Sequence, residues 1–206
     1  MSYLTLLILV AVLVYFVLRH RYSGVKKVET DHLPPEFVVF DLETTGLDAS
    51  RHEIIEIAAI RYKKGTTTQD TLQSFVKPTK RVPKKITDLT GITQEMVDAQ
   101  GEPLVDVLKG FANFVGSCRL VTFNAEFDMA FLQAAARSSG TTEFGNPVSC
   151  ALKMARRAWP GRKSYRLNDL ASDGQFSQGT AHRALEDSRR ALIVYAAAVA
   201  ELKSVA

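Results

Sequence analysis

Residues 37–47 read Phe-Val-Val-Phe-Asp-Leu-Glu-Thr-Thr-Gly-Leu, and the fold is decided by how that stretch is read. Phe37–Leu42 is a short, dense apolar run, the signature of a buried strand. Side chains alternate along a strand, so Asp41 and Glu43 share one face while Leu42 points to the other. Two carboxylates so placed repel each other unless water solvates them or a cation sits between them. Thr44-Thr45-Gly46 then turns the chain, with Gly46 free to adopt a positive φ.

Working outward, Ile54–Tyr62 and Thr68–Val76 read as the next strands, with Lys63-Lys64-Gly65 as the turn between them. The apolar pattern of Ile54–Tyr62 also suits a helix; Gly65 and the threonine run favour a hairpin. Short helical turns are expected on either side of Thr90-Gly91-Ile92-Thr93. Leu104, Val107, Leu108, Phe111, Phe114 and Val115 recur at helical spacing. Arg119–Phe123 reads as a strand, Phe127–Arg137 as a helix and Val148–Cys150 as a short strand. Ala151–Ala158 reads as a helix stopped by Pro160-Gly161. Leu185, Ser188, Leu192, Tyr195, Val199 and Leu202 make one stripe of a long last helix. Strands first, then strand and helix alternating, predict an α/β domain over 36–206, a mixed sheet flanked by helices.

The N-terminus has a different character. Tyr3–Leu18 carries no charge, and with Ser2 the run is 17 residues, about 25 Å as a helix. That is a short but adequate membrane span. Arg19, His20, Arg21, Lys26 and Lys27 follow at once, and nothing basic but the terminal amine precedes. A cleaved signal peptide would need the opposite arrangement. The expectation is therefore an anchor over 1–18, a polar linker over 19–35, and the domain that follows held on the cytoplasmic side.

Composition narrows the function class. Apolar residues are 46% and charged residues 23% of the 206, which excludes a disordered chain. The net charge is +4, half of it within the first 35 residues, so charge alone says little about nucleic acid. Two cysteines are too few for a disulfide framework. From Lys153 to Arg166 there are six basic residues and no acid, with Trp159 and Tyr165 interleaved. This run reads either as a groove that follows phosphates, with aromatic stacking platforms, or as a solvated basic face.

Two further acids and a histidine complete the pattern. Asp128 opens the helix after the strand at 119–123, where an N-terminal acid suits the helix dipole. Asp187 lies in the last helix, and His182 stands five residues before it, about 140° away around a helix. The strings Asp41-Leu42-Glu43-Thr44-Thr45-Gly46-Leu47, Asn124-Ala125-Glu126-Phe127-Asp128 and His182-Arg183-Ala184-Leu185-Glu186-Asp187-Ser188 resemble the three motifs of the DEDDh, or DnaQ-like, exonuclease family. Thr90-Gly91-Ile92-Thr93 resembles the family's segment between the first two. The resemblance spans about 36–200, and His182 matches the DEDDh branch rather than the tyrosine-bearing one. Phe123 departs from the histidine that often precedes the second motif.

This resemblance implies a ribonuclease-H-like fold and 3′→5′ hydrolysis of DNA or RNA to nucleoside 5′-monophosphates. It implies two divalent ions, Mg²⁺ or Mn²⁺, held by Asp41, Glu43, Asp128 and Asp187, with His182 as general base. Hard oxygen ligands suit those ions. By the same carry-over Thr44, Gly46, Leu47, Asn124 and Phe127 contact the 3′-terminal nucleotide of a single strand, with Leu47 against the last base. Two other readings stay open: a catalytically inactive nucleic-acid-binding module, and a proofreading partner of a polymerase. Some relatives dimerise, so a homodimer is open as well.

Overall fold

The computed structural model describes residues 32–66, 68–173 and 183–204. The expected anchor over 1–18, most of the expected linker and His182 lie outside the described residues. Among the described residues no helix is long and apolar enough to cross a membrane.

Among the described residues five strands make one sheet: β1 (Glu36–Thr44), β2 (Ile54–Lys63), β3 (Asp70–Phe75), β4 (Arg119–Thr122) and β5 (Val148–Cys150), in the order β3-β2-β1-β4-β5. β1 runs antiparallel to β2 and parallel to β4, so the sheet is mixed, as expected. The helices are α1 (Lys84–Thr90), α2 (Gln94–Gln100), α3 (Leu104–Val115), α4 (Ala125–Ser139), α5 (Ala151–Ala158), α6 (Leu167–Asp173) and α7 (Ala184–Ser204).

β2 is a strand because every residue from Ile54 to Ile60 is buried, with β1 and β3 paired on its two edges. A single helix does not bury seven consecutive side chains unless it is covered all round. The hairpin turn to β3 contains Gly65 at φ 82°, in the left-handed region that glycine tolerates.

β1 is the centre of the molecule, and its alternation builds two cores. Val38, Phe40 and Leu42 pack with Leu108, Phe111, Phe131 and Leu132 from α3 and α4. Phe37 and Val39 pack with Val121, Ala155, Ala191, Val194 and Tyr195, from β4, α5 and α7. Phe37 stacks on Tyr62 at 4.7 Å and meets Tyr195 edge-on at 5.3 Å. Each large side chain buried this way contributes about 1.5–3 kcal/mol. Leu33, in the stretch read as linker, is 6% exposed and joins the second core. The same alternation carries Asp41 and Glu43 onto the face of Phe37 and Val39, the one that α7 covers.

The boundaries differ from the sequence reading in several places. β1 continues to Thr44, so Asp41 and Glu43 lie inside the strand, and the register with β2 shifts between Glu43 and Thr44. β3 covers 70–75 only, while Val76 forms an isolated bridge to Glu102. β4 ends at Thr122, and α4 starts at Ala125. The turns around 90–93 are two full helices, the second capped by Thr93, whose hydroxyl accepts from the Met96 N–H at 3.2 Å. Gly91 ends α1 in the left-handed conformation.

Candidate metal and nucleotide site

Three elements bring the acids together. β1 supplies Asp41 and Glu43, and the first turn of α7 supplies Asp187. One carboxylate oxygen from each lies within 4.8 Å of the others. Asp128, in the first turn of α4, is 3% exposed and adds its field to both Asp41 and Glu43. It stands outside the three-residue set in this geometry. Its carboxylate accepts a hydrogen bond from Thr122 Oγ1 at 2.5 Å, which fixes it at the end of β4.

Burial and mutual repulsion set the electrostatics of the cluster. Burial, then the charges of Asp128, Glu43, Asp187 and Glu56, push the Asp41 carboxyl well above its ordinary range. Burial and then Asp187 push Glu43 up to about 8. Burial pushes Asp128 up to about 7, against the lowering effect of the Thr122 hydroxyl. Carboxylates forced together in this way become stable as anions when a cation joins them. The donor set is all oxygen and its ligand atoms face one another, which fits a hard divalent ion such as Mg²⁺ or Mn²⁺.

A buried residue absent from the sequence reading holds the arrangement in place. Glu56 of β2 is fully buried and stands opposite Glu43 in the strand register. Its carboxylate accepts from Arg183 Nη2 at 3.0 Å, from the Ala184 N–H at 3.1 Å and from Gln73 Nε2 at 2.7 Å. Arg183 also lies over the Phe75 ring at 5.5 Å. Glu56 thus caps the start of α7 from the sheet, and Asp187 follows one turn later. Arg190, 5% exposed, donates to Asp187 Oδ1 at 2.5 Å. Ser188 Oγ donates to the Ala58 carbonyl at 3.3 Å, a second tie between α7 and β2. The signal for Glu56 was a lone acid inside the apolar run Ile54–Ile60, where only a partnered charge can reside.

The expected nucleotide contacts divide into two groups. Leu47, Asn124 and Phe127 line a hollow of about 300 Å³ with Ala49, Glu126, Ala130 and Phe131. Leu47 is 86% exposed, the most exposed large apolar side chain among the described residues. Thr44 and Gly46 do not line this hollow. The Thr44 hydroxyl donates to the Gly46 carbonyl at 2.6 Å, so it holds the turn rather than facing out. Gly46 does not use its freedom to take a positive φ. It is needed for close approach: a Cβ there would come within 2.5 Å of the His52 ring. His52, which the sequence reading passed over, packs on this turn with Nδ1 3.4 Å from Thr45 Oγ1.

The basic run 153–166 is divided by the fold. Arg156 lies over the Tyr165 ring at 5.8 Å. The Tyr165 hydroxyl donates to the Trp159 carbonyl at 2.6 Å, and both rings pack against the second core. Both rings are thereby tied, half-buried, into the packing around α5.

Residues 38–195 match the RNase T family, described as exonucleases. The chain is 37% identical over 163 residues to the DNA polymerase III subunit epsilon of Aquifex aeolicus, covering 79% of each. It is 41% identical over 155 residues to the PolC-type DNA polymerase III of Clostridium perfringens, of which it spans only 10%. The fold is similar to that of E. coli Exonuclease I in complex with a dT13 oligonucleotide, with TM-score 0.73 and 18% identity. That likeness covers 84% of this chain and 42% of the other.

Proposed function

The chain belongs to the RNase T family of DnaQ-like, DEDDh-type 3′→5′ exonucleases, and on that premise we propose that it removes nucleoside 5′-monophosphates from the 3′ ends of single-stranded DNA or RNA at a membrane surface. The observation that carries this reading is the convergence of Asp41, Glu43 and Asp187 within 4.8 Å, on the strand and helix where the family motifs fall.

Asp41, Glu43 and Asp187 would hold divalent metal, with Asp128 beside them as the fourth acid. The ions would supply charge stabilisation to the attacking and leaving oxygens of phosphodiester hydrolysis. The hollow of Leu47, Asn124 and Phe127 receives the terminal nucleoside, with Leu47 against its base. His182, next to Arg183 in sequence, takes the proton from the attacking water onto its imidazole. Water oxygen bonds to phosphorus, the bond from phosphorus to the 3′-oxygen of the preceding nucleotide breaks, and that oxygen leaves with a proton. Glu56 and Arg183 fix the helix that presents Asp187 and so take no part in the chemistry itself.

Two supports come from sequence. The uncharged run of residues 2–18 followed by five basic residues supports a single-pass anchor with the catalytic domain cytoplasmic. The full chain should sediment with membranes and be released by detergent but not by high salt; release by salt alone contradicts the anchor. The likeness to polymerase III chains favours a second reading, that mispaired 3′ ends left by a polymerase are the working substrate. A faster rate on a mispaired than on a paired primer end supports it, and equal rates argue against it. The chemistry is tested with a strand labelled in its last nucleotide. The label should leave as a nucleoside 5′-monophosphate; a 3′-monophosphate or a short oligonucleotide overturns the reading.

A further inference from the structure

A second hollow adjoins the first. It measures about 650 Å³ and runs between the start of α4 and the β5–α5 segment. Glu126 lines both hollows, so they meet at the first turn of α4. The walls of the second are Met129 and Met154, Ser149 and Cys150, and the cations Lys153 and Arg157. β5 is parallel to β4, so Cys150 and the start of α5 come to the same sheet edge as Asn124. Lys153 and Arg157 are exposed and sit one helical turn apart, about 6 Å along the axis. Arg156, the other basic residue of α5, lies over Tyr165, and beyond the helix Arg162 Nε donates to the Ser164 carbonyl at 3.4 Å.

We propose that this groove binds the single strand on the 5′ side of the scissile bond, with Lys153 and Arg157 on its phosphates and Met129 and Met154 beneath a base. The inference rests on the exonuclease reading and extends it to a substrate length. Two cations against the single acid Glu126 give the groove the charge opposite to a polynucleotide backbone, while the neighbouring metal site is acidic. A thioether side chain makes a polarizable, adaptable floor that accepts any base, as a sequence-independent degrader requires. The occupant is therefore a polynucleotide strand, not a mononucleotide.

The test uses the full chain in mild non-ionic detergent and the double variant Lys153→Ser, Arg157→Ser, both exposed positions. Turnover is compared on a single strand of about 16 nucleotides and on the p-nitrophenyl ester of thymidine 5′-monophosphate, which has no nucleotide on the 5′ side. The ratio of kcat/KM on the strand to that on the ester should fall about tenfold or more, through KM. Binding of the fluorescent strand is measured with Ca²⁺ replacing Mg²⁺. Its salt dependence should become shallower by about 1.4 in log K against log[salt], the loss of two single-strand phosphate contacts. An unchanged ratio with an unchanged salt slope overturns the groove. If the wild-type chain cleaves neither substrate, the exonuclease reading fails, and the groove stands or falls on the binding slope alone.

Discussion

At the scale of single residues, the site depends on partners that hold the acids as much as on the acids themselves. Glu56 is completely buried and is tolerable there because Arg183, Gln73 and the Ala184 N–H meet its oxygens. Replacing Arg183 by Met leaves that charge buried without its cation, a change that costs about 3 kcal/mol. Urea unfolding should show this loss, and kcat should fall while KM for a strand stays nearly constant, because the start of α7 positions Asp187 rather than substrate. A KM effect with normal kcat contradicts that role. Thr122 is a second support. Removing its hydroxyl with Thr122→Val takes away the hydrogen bond that lowers the Asp128 carboxyl, which then rises above about 7. Partners of this kind typically cost 10- to 100-fold, so activity should drop by about 30-fold. The pH at which activity reaches half its plateau should move upward; a downward move excludes the assignment.

At the scale of elements, the turn after β1 joins the metal site to the nucleotide hollow. Gly46 has the His52 ring where a side chain would go. Gly46→Ala should push the ring aside and displace Leu47, raising KM about tenfold, roughly the 1–2 kcal/mol typical of local overpacking. Adding His52→Ala should restore KM; failure to restore it shows that the strain lies elsewhere. This element also shows what could be read from sequence. Strand alternation put Asp41 and Glu43 on one face, and the structure has their ligand atoms together with that of Asp187. The conformation of Gly46 could not be read, because the reason for glycine there is a contact with His52 across the turn, not a local dihedral. Glu56 stands out as a lone acid in an apolar run, but its partner Arg183 was illegible for the same reason: their pairing spans 127 positions, and no local pattern encodes it. The seven-residue α6 carries too few turns to show a periodicity. The aromatic residues Trp159 and Tyr165 look alike in sequence whether they stack on bases or pack on a core, and here they lie half-buried against the second core.

At the scale of the whole molecule, the acidic cluster opposes folding in the absence of a cation. Asp41, Glu43 and Asp128 all titrate above their unfolded values, Glu43 at about 8 and Asp128 at about 7. The folded chain then holds more protons than the unfolded chain between the ordinary carboxylate range near 4 and about 8. Stability without metal is therefore full below about pH 4, as far as these groups decide it, and declines as pH rises toward 8. Tm of the EDTA-treated protein should fall across that window, and Mg²⁺ or Mn²⁺ should raise Tm more at pH 8 than at pH 6. A metal-induced shift that is larger at pH 6 contradicts the cluster as a cation site. The most direct measurement is a time course on a 5′-labelled single strand with the full chain, in Mn²⁺ and in EDTA, beside Asp41→Asn. The expected result is a ladder that shortens one nucleotide at a time from the 3′ end, absent in EDTA and absent in the variant. A ladder that persists in EDTA or in Asp41→Asn, or cleavage at internal positions, would contradict the metal-dependent 3′→5′ exonuclease.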